Sequence, residues 1–175
     1  MKKLLVLWVL FLVAAVVTST ALAGTAVKFS SVRFSLGSLI VEGFASGLGN
    51  TDVTVVLNAS GFPAISCTNS GGNTVPGRSS PKILALGQLY LDGSDPLRKN
   101  GMSPVRIETD DPTSLSWNEA GCPNANWSGT IDFIFWTDAT LSVYDTASGA
   151  LLTSQDYTCT TTRSPAGVSC TRITR

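Results

Sequence analysis

Residues 129–160 read GTIDFIFWTDATLSVYDTASGALLTSQDYTCT. Apolar and polar residues alternate here with a period of two, and no stretch keeps the 3.6-residue period of an amphipathic helix. Alternation of this kind belongs to strands with one face against a core. Thr, Val, Ile and Phe recur, and their side chains suit a pleated, half-buried surface. Parity then assigns faces. In 129–136, Ile131, Phe133 and Phe135 are expected inward, with Thr130, Asp132, Ile134 and Trp136 outward. In 139–144, Leu141 and Val143 are expected inward. Ala147-Ser148-Gly149 supplies a turn into a further strand that ends in Cys-Thr.

A second stretch has the same design. Residues 51–68 read TDVTVVLNASGFPAISCT, again T-D-x-T, alternation, A-S-G and a strand ending in Cys-Thr. Each stretch follows another strand, SLIVEGFAS (38–46) in one case and GTIDFIFW (129–136) in the other. The expectation is a pseudo-repeat of two three-stranded meanders. It puts Val53, Val55 and Leu57 inward and a hairpin turn at Ala59-Ser60-Gly61. Strands are expected over 28–34, 38–45, 52–59, 63–68, 83–91, 105–109, 129–136, 139–144, 151–159 and 168–173. Many short strands separated by Gly, Asn, Asp and Pro indicate an all-β, immunoglobulin-like β-sandwich of antiparallel meanders.

The N-terminus, MKKLLVLWVLFLVAAVVTSTALAG, has two lysines, an apolar run from Leu4 to Val17 and a small-residue Ala21-Leu22-Ala23 site. That is the pattern of a secretory signal peptide over 1–23, and the apolar run is shorter than the roughly 20 residues of a membrane span. A single secreted domain is expected over 24–175. Loss of Lys2 and Lys3 leaves ten basic against twelve acidic residues, a formal charge of −2. The basic residues are scattered, so nucleic acid is a poor partner. No amphipathic basic segment exists to lie on a membrane after cleavage. Export makes disulfides available to Cys67, Cys122, Cys159 and Cys170. Cys159–Cys170 closes the short loop TCTTTRSPAGVSC, which leaves Cys67–Cys122; Cys67–Cys159 is the rival pairing. A zinc site is disfavoured, for want of close Cys pairs and of His.

There is no histidine in the chain. Ser-His-Asp and Cys-His hydrolases are therefore excluded, and acid–base chemistry would fall to carboxylates, Lys or Tyr. No carboxylate signature stands out, so a glycosidase is a remote alternative and a non-catalytic protein the leading one.

Two sets of residues are candidate sites. The loop AGCPNANWSG (120–129) combines Asn124, Asn126 and Trp127 beside Cys122. With Asp132 and Trp136 on the expected outer face, and Trp117 nearby, these could form a sugar-binding surface, since indole rings stack on sugars and polar side chains hold hydroxyls. The plainer reading of the loop is a disulfide staple capped by a packed Trp127. Asp92 and Asp95 in LDGSDP, with Asp110 and Asp111 in ETDDP, are oxygen ligands of the kind Ca2+ takes. Their spacing is not that of an EF-hand, and D-G and D-P are ordinary turn dipeptides. No other cofactor is implied. Asn58-Ala59-Ser60 and Asn126-Trp127-Ser128 match the glycosylation sequon, with Asn58 expected at a hairpin turn. Two long loops, NSGGNTVPGRSSP (69–81) and DGSDPLRKNGMSP (92–104), are further places for function.

The combination of CTNSGGNTVPG (67–77), AGCPNANW (120–127) and YTCT (157–160) resembles a group of uncharacterised small secreted β-rich proteins. The resemblance covers roughly residues 38–160 and implies no activity. It implies that Cys67, Cys122 and Cys159 belong to a shared design to which Cys170 is an addition.

The functional expectation is a secreted or cell-surface binding or structural module whose partner is an extracellular glycan or protein. The alternatives are a carbohydrate-binding or carbohydrate-active accessory domain and a self-assembling matrix subunit. In the last, TAVKFSSVRFSLGSLIVEG (25–43) would add to a neighbour's sheet edge.

Overall fold

The computed structural model describes residues 26–36, 38–96, 98 and 101–174. The expected signal peptide lies outside them. The chain is all-β, with ten strands in chain order: β1 Lys28–Ser35, β2 Ile40–Ser46, β3 Val53–Asn69, β4 Thr74–Pro76, β5 Ile83–Leu91, β6 Ser103–Glu108, β7 Ser114–Leu115, β8 Trp127–Asp145, β9 Leu151–Arg163 and β10 Ala166–Arg172. They form a three-stranded sheet, β1-β2-β6, and a seven-stranded sheet, β10-β9-β8-β3-β4, with β5 on β3 and β7 on β8. All the pairings are antiparallel. Among the described residues no helix is long and apolar enough to cross a membrane.

The long central pair, β3 and β8, corrects the expected pseudo-repeat. Asn58, Ala59, Ser60 and Gly61 are not a turn, and β3 runs straight through them, paired with β8 on both sides of a one-residue shift. Gly61 is required there by close approach, because a Cβ would stand 2.5 Å from the Phe135 carbonyl oxygen. The Ser60 hydroxyl donates to Asp138 Oδ2 across the pair at 3.1 Å. Pro63 is tolerated in this central strand because β5 leaves β3 at Gly61 and β4 joins only at Ser66. Its missing N–H therefore costs no ladder bond. At 147–149 the same Ala-Ser-Gly does turn. Asp145 Oδ1 accepts from the Ser148 amide at 2.7 Å, and Gly149 takes a φ of 70°. One tripeptide thus serves as strand or turn, according to whether an Asp stands three residues before its glycine's neighbour to cap the bend.

The faces of β8 are also corrected. Ser60 faces Asp138 while Gly61 faces Trp136, so Thr137 is an extra residue; Ala64 faces Phe133 while Ile65 faces Ile131, so Asp132 is another. Each one-residue bulge flips the parity of the strand. Leu141 and Val143 point inward as expected, and Ile131 packs against the core. Between the bulges the assignment inverts. Ile134 and Trp136 are buried, Trp136 at 1 % exposure, while Phe135 is 36 % exposed. Phe133 and Phe135 stack edge-to-face outside, with centroids 5.0 Å apart. The partner strand carries no such shift, and Val53, Val55 and Leu57 are fully buried as expected.

Both sheets contribute to one main core. Leu39, Val41, Val105 and Ile107 from the smaller sheet and its approaches meet Val53, Leu57, Trp136 and Leu141 from the larger. The sheets are joined at one edge, where the Asp110 amide beyond β6 donates to the Leu86 carbonyl of β5 at 2.9 Å. Elsewhere the Phe34 and Tyr157 rings meet edge-to-face, at 5.0 Å, tying β1 to β9. The disulfides pair as favoured, Cys67–Cys122 and Cys159–Cys170, so the rival Cys67–Cys159 does not form. Cys159 and Cys170 are directly opposed in the β9–β10 ladder. A smaller core cluster of Ile65, Cys67, Ala120 and Cys122 surrounds the longer bridge.

Candidate functional site

The loop AGCPNANWSG is built as a staple. Cys122 is bonded to Cys67, and its amide donates to the Trp117 carbonyl at 2.7 Å. Asn124 Oδ1 accepts from the Asn126 amide at 3.0 Å, an Asx-type turn that uses the side chain for local order. Trp127 is half-buried against the disulfide cluster. Trp136 lies in the main core and presents no ring to solvent. Asp132 is exposed at its bulge and accepts from the Ser66 hydroxyl. The five residues expected to make a sugar surface (Asn124, Asn126, Trp127, Asp132 and Trp136) are therefore not brought together on one face. Trp117 stands exposed in the loop before Cys122. Of the sequons, Asn126 is in this loop, while Asn58 is exposed in mid-strand, not at a hairpin turn.

The aspartates have structural work of their own. Asp92 Oδ1 accepts from the Ser94 hydroxyl and amide, both at 2.7 Å, and these bonds hold its carboxyl below the usual carboxylate range. The Asp95 carbonyl accepts from the Arg98 amide at 2.9 Å. The largely buried Arg98 guanidinium donates to the Thr51 carbonyl at 2.7 Å and the Leu48 carbonyl at 3.4 Å. Asp110 meets β5 through its backbone, and Asp111 accepts from the Thr109 hydroxyl at 2.6 Å. Burial pushes the Asp111 carboxyl up. Among the described residues no group of three or more His, Cys, Asp or Glu is placed to hold a metal ion.

A concavity that sequence reasoning missed opens where β5 and β6 part. The Asp110–Leu86 bond fixes the alternation of the β5 edge, so the Gln88 and Tyr90 backbone groups face away from β3. On the β6 edge Pro104 has no N–H, which blunts it against strand addition. The resulting groove has a volume of about 750 Å³ and is lined by Arg33, Glu42, Phe44, Tyr90, Pro104 and Arg106, among others. Arg33, Glu42 and Arg106 stand in one cross-strand row over β1, β2 and β6, and Glu42 pairs with Arg106. Two aromatic rings remain open to solvent, Phe44 at 41 % and Tyr90 at 54 % exposure. Tyr90 is held by its hydroxyl, which donates to Asp52 Oδ2 at 2.7 Å; that bond raises the phenol's pKa. An aromatic platform with a fixed ring, flanked by charged side chains, can stack on a flat apolar face and bond polar groups at its margin.

The chain matches no family model, no curated protein and no solved structure.

A smaller hollow of about 390 Å³ lies elsewhere, over the bulge at Asp132. It is lined by Pro63, Ser66, Arg78, Ser79, Asp132 and Arg163, among others, and shares no residue with the groove. Of the expected site residues, Asp132 lines this hollow and Asp95 lines the groove. The signal for the groove was present in the sequence as Glu42, Phe44, Tyr90 and Arg106. Each lies at an outward position of a strand, but only the fold brings the three strands that carry them, β2, β5 and β6, side by side.

Proposed function

We propose that this protein is an exported, non-catalytic binding module of the extracellular space or cell surface, and that it holds a carbohydrate chain in the groove between β5 and β6. The observation that carries the reading is the pair of exposed rings, Phe44 and Tyr90, in one open groove with Arg33, Glu42 and Arg106. Sugar rings stack on aromatic faces, and charged side chains at the rim satisfy hydroxyls. Because Asp52 already orients Tyr90, little side-chain freedom is lost on binding. Two disulfides fit an oxidising compartment and so support export. Glu42 is tied to Arg106, which suits a structural carboxylate better than a general acid. For the fold, we infer a variant of the immunoglobulin-like sandwich. One core shared by two sheets supports it, and the β5–Asp110 junction is where the variant departs from two separate layers.

The test is a glycan and polysaccharide screen on the oxidised protein, with and without calcium. The expected result is binding that is lost in Tyr90→Ala and Phe44→Ala, with the unfolding midpoint unchanged. An empty screen, or binding indifferent to both substitutions, would overturn the carbohydrate reading. It would direct the search to protein partners and, by size exclusion at varied concentration, to self-assembly.

A further inference from the structure

The hollow over the Asp132 bulge is a built feature. One wall is the segment 76–80, which is pinned at three points. The Gly77 amide donates to the Ile65 carbonyl at 2.8 Å, the Ser79 amide to the Ala120 carbonyl at 3.3 Å, and the Ser80 hydroxyl to the Pro63 carbonyl at 2.8 Å. The backbone of Arg78 is therefore fixed between Gly77 and Ser79. Gly121, at a φ of 65°, lets the staple approach so closely that a Cβ there would stand 2.6 Å from the Ser79 amide nitrogen. Arg163, at the end of β9, contributes from another side, and Asp132 contributes the carboxylate.

The charge of the lining is unbalanced: two guanidinium groups face one carboxylate. Among the described residues the ion pairs are Lys82–Asp138 and Arg106–Glu42, so neither Arg78 nor Arg163 has an ion-pair partner. Asp132 is engaged through Oδ2 by Ser66, which leaves Oδ1 to accept from a hydroxyl. Guanidinium groups recognise oxyanions by paired N–H donors. A ligand suited to this lining bears an oxyanion and hydroxyl donors on one small frame, and carries net negative charge. The volume falls within the roughly 300–1,000 Å³ of small-molecule sites.

We propose that this hollow binds an acidic sugar unit, with its oxyanion on Arg78 and Arg163 and its hydroxyls on Asp132 and Ser79. The site is distinct from the β5–β6 groove and does not depend on it. The function of AGCPNANWSG follows: the staple is what keeps the wall that carries Arg78 in place.

Isothermal titration of the oxidised, full-length protein tests this, with glucuronate, glucose, sodium sulfate and glycine as probes. Glucuronate is expected to bind saturably and more weakly as salt rises, with no uptake of glucose at the same concentration. Arg78→Ala and Arg163→Ala should each weaken glucuronate by about tenfold, the loss of one charge-assisted bond. The double variant should not bind, while Arg172→Ala, which does not line the hollow, should bind normally. Absence of saturable glucuronate binding, equal binding of glucose, or binding that survives in the double variant would overturn the proposal. Sulfate binding as tightly as glucuronate would refute the hydroxyl contacts to Asp132. Glycine binding more tightly would assign the site to a zwitterion instead.

Discussion

The inverted faces of β8 between its bulges make a sharp prediction about two adjacent aromatic residues. Simple alternation places Phe135 in the core and Trp136 outside, whereas the bulges at Asp132 and Thr137 reverse this. Trp136 is 1 % exposed and Phe135 is 36 % exposed. Truncating a fully buried Trp removes its transfer free energy and leaves a cavity, at a cost of about 3–5 kcal/mol. Phe135 loses its edge-to-face contact with Phe133, about 0.5–1.5 kcal/mol, together with its partial burial, a smaller total than for Trp136 because no sealed cavity is left. Against a domain stability of about 5–15 kcal/mol, the first loss is large and the second is small. Urea denaturation of Trp136→Ala and Phe135→Ala, followed by circular dichroism with the disulfides intact, measures both. Midpoints should shift strongly for Trp136→Ala and slightly for Phe135→Ala, with similar slopes. A Phe135→Ala loss equal to or greater than that of Trp136→Ala would refute the bulge reasoning and restore simple alternation.

Two further outcomes follow. Replacing Cys67 and Cys122 together by Ser should cost about 4 kcal/mol, and Cys159 with Cys170 about 3, from loop closure over sequence separations of 55 and 11 residues; paired urea titrations give the difference, and a larger loss from the short loop would contradict the chain-entropy account. Asp138 is held below the usual carboxylate range by the Thr137 hydroxyl first, then by Lys82 and Ser60. A depressed folded pKa contributes stability that is present above the unfolded value and is lost as pH falls through the folded one. Asp138→Asn should therefore flatten the acid limb of the stability–pH curve below about pH 4, where an ordinary Asp titrates; an acid limb identical to that of the parent protein would refute this.

What was legible in the sequence followed from local chemistry. Alternation marked nearly every strand, and the short loop before Cys170 marked its bridge to Cys159. Val53, Val55 and Leu57 could be placed correctly because β3 has no bulge. Phe133, Phe135 and Trp136 could not, because a bulge is a relation between two strands and leaves no mark in either alone. Ala59-Ser60-Gly61 misled for a similar reason: Gly61 serves close approach to Phe135, not a bend. For the candidate sites, Asp132 was legible as exposed, but its neighbours Arg78 and Arg163 are distant in sequence and meet only through the fold. Phe44 and Tyr90 were hidden in apolar runs, and only the parting of β5 from β6 opens a groove between them.

The paired bulges also set the terms on which β8 can change. One inserted residue shifts the phase of everything beyond it, and a second restores it. Loss of Thr137 alone would exchange the inner and outer residues along one whole arm of the strand. Loss of Asp132 and Thr137 together would leave both ends in step and exchange only the short segment between. Length changes in this strand are therefore tolerable in compensating pairs and ruinous singly. The span from Phe133 to Trp136 is the one portion where a lineage could swap its interior for its exterior without disturbing the rest.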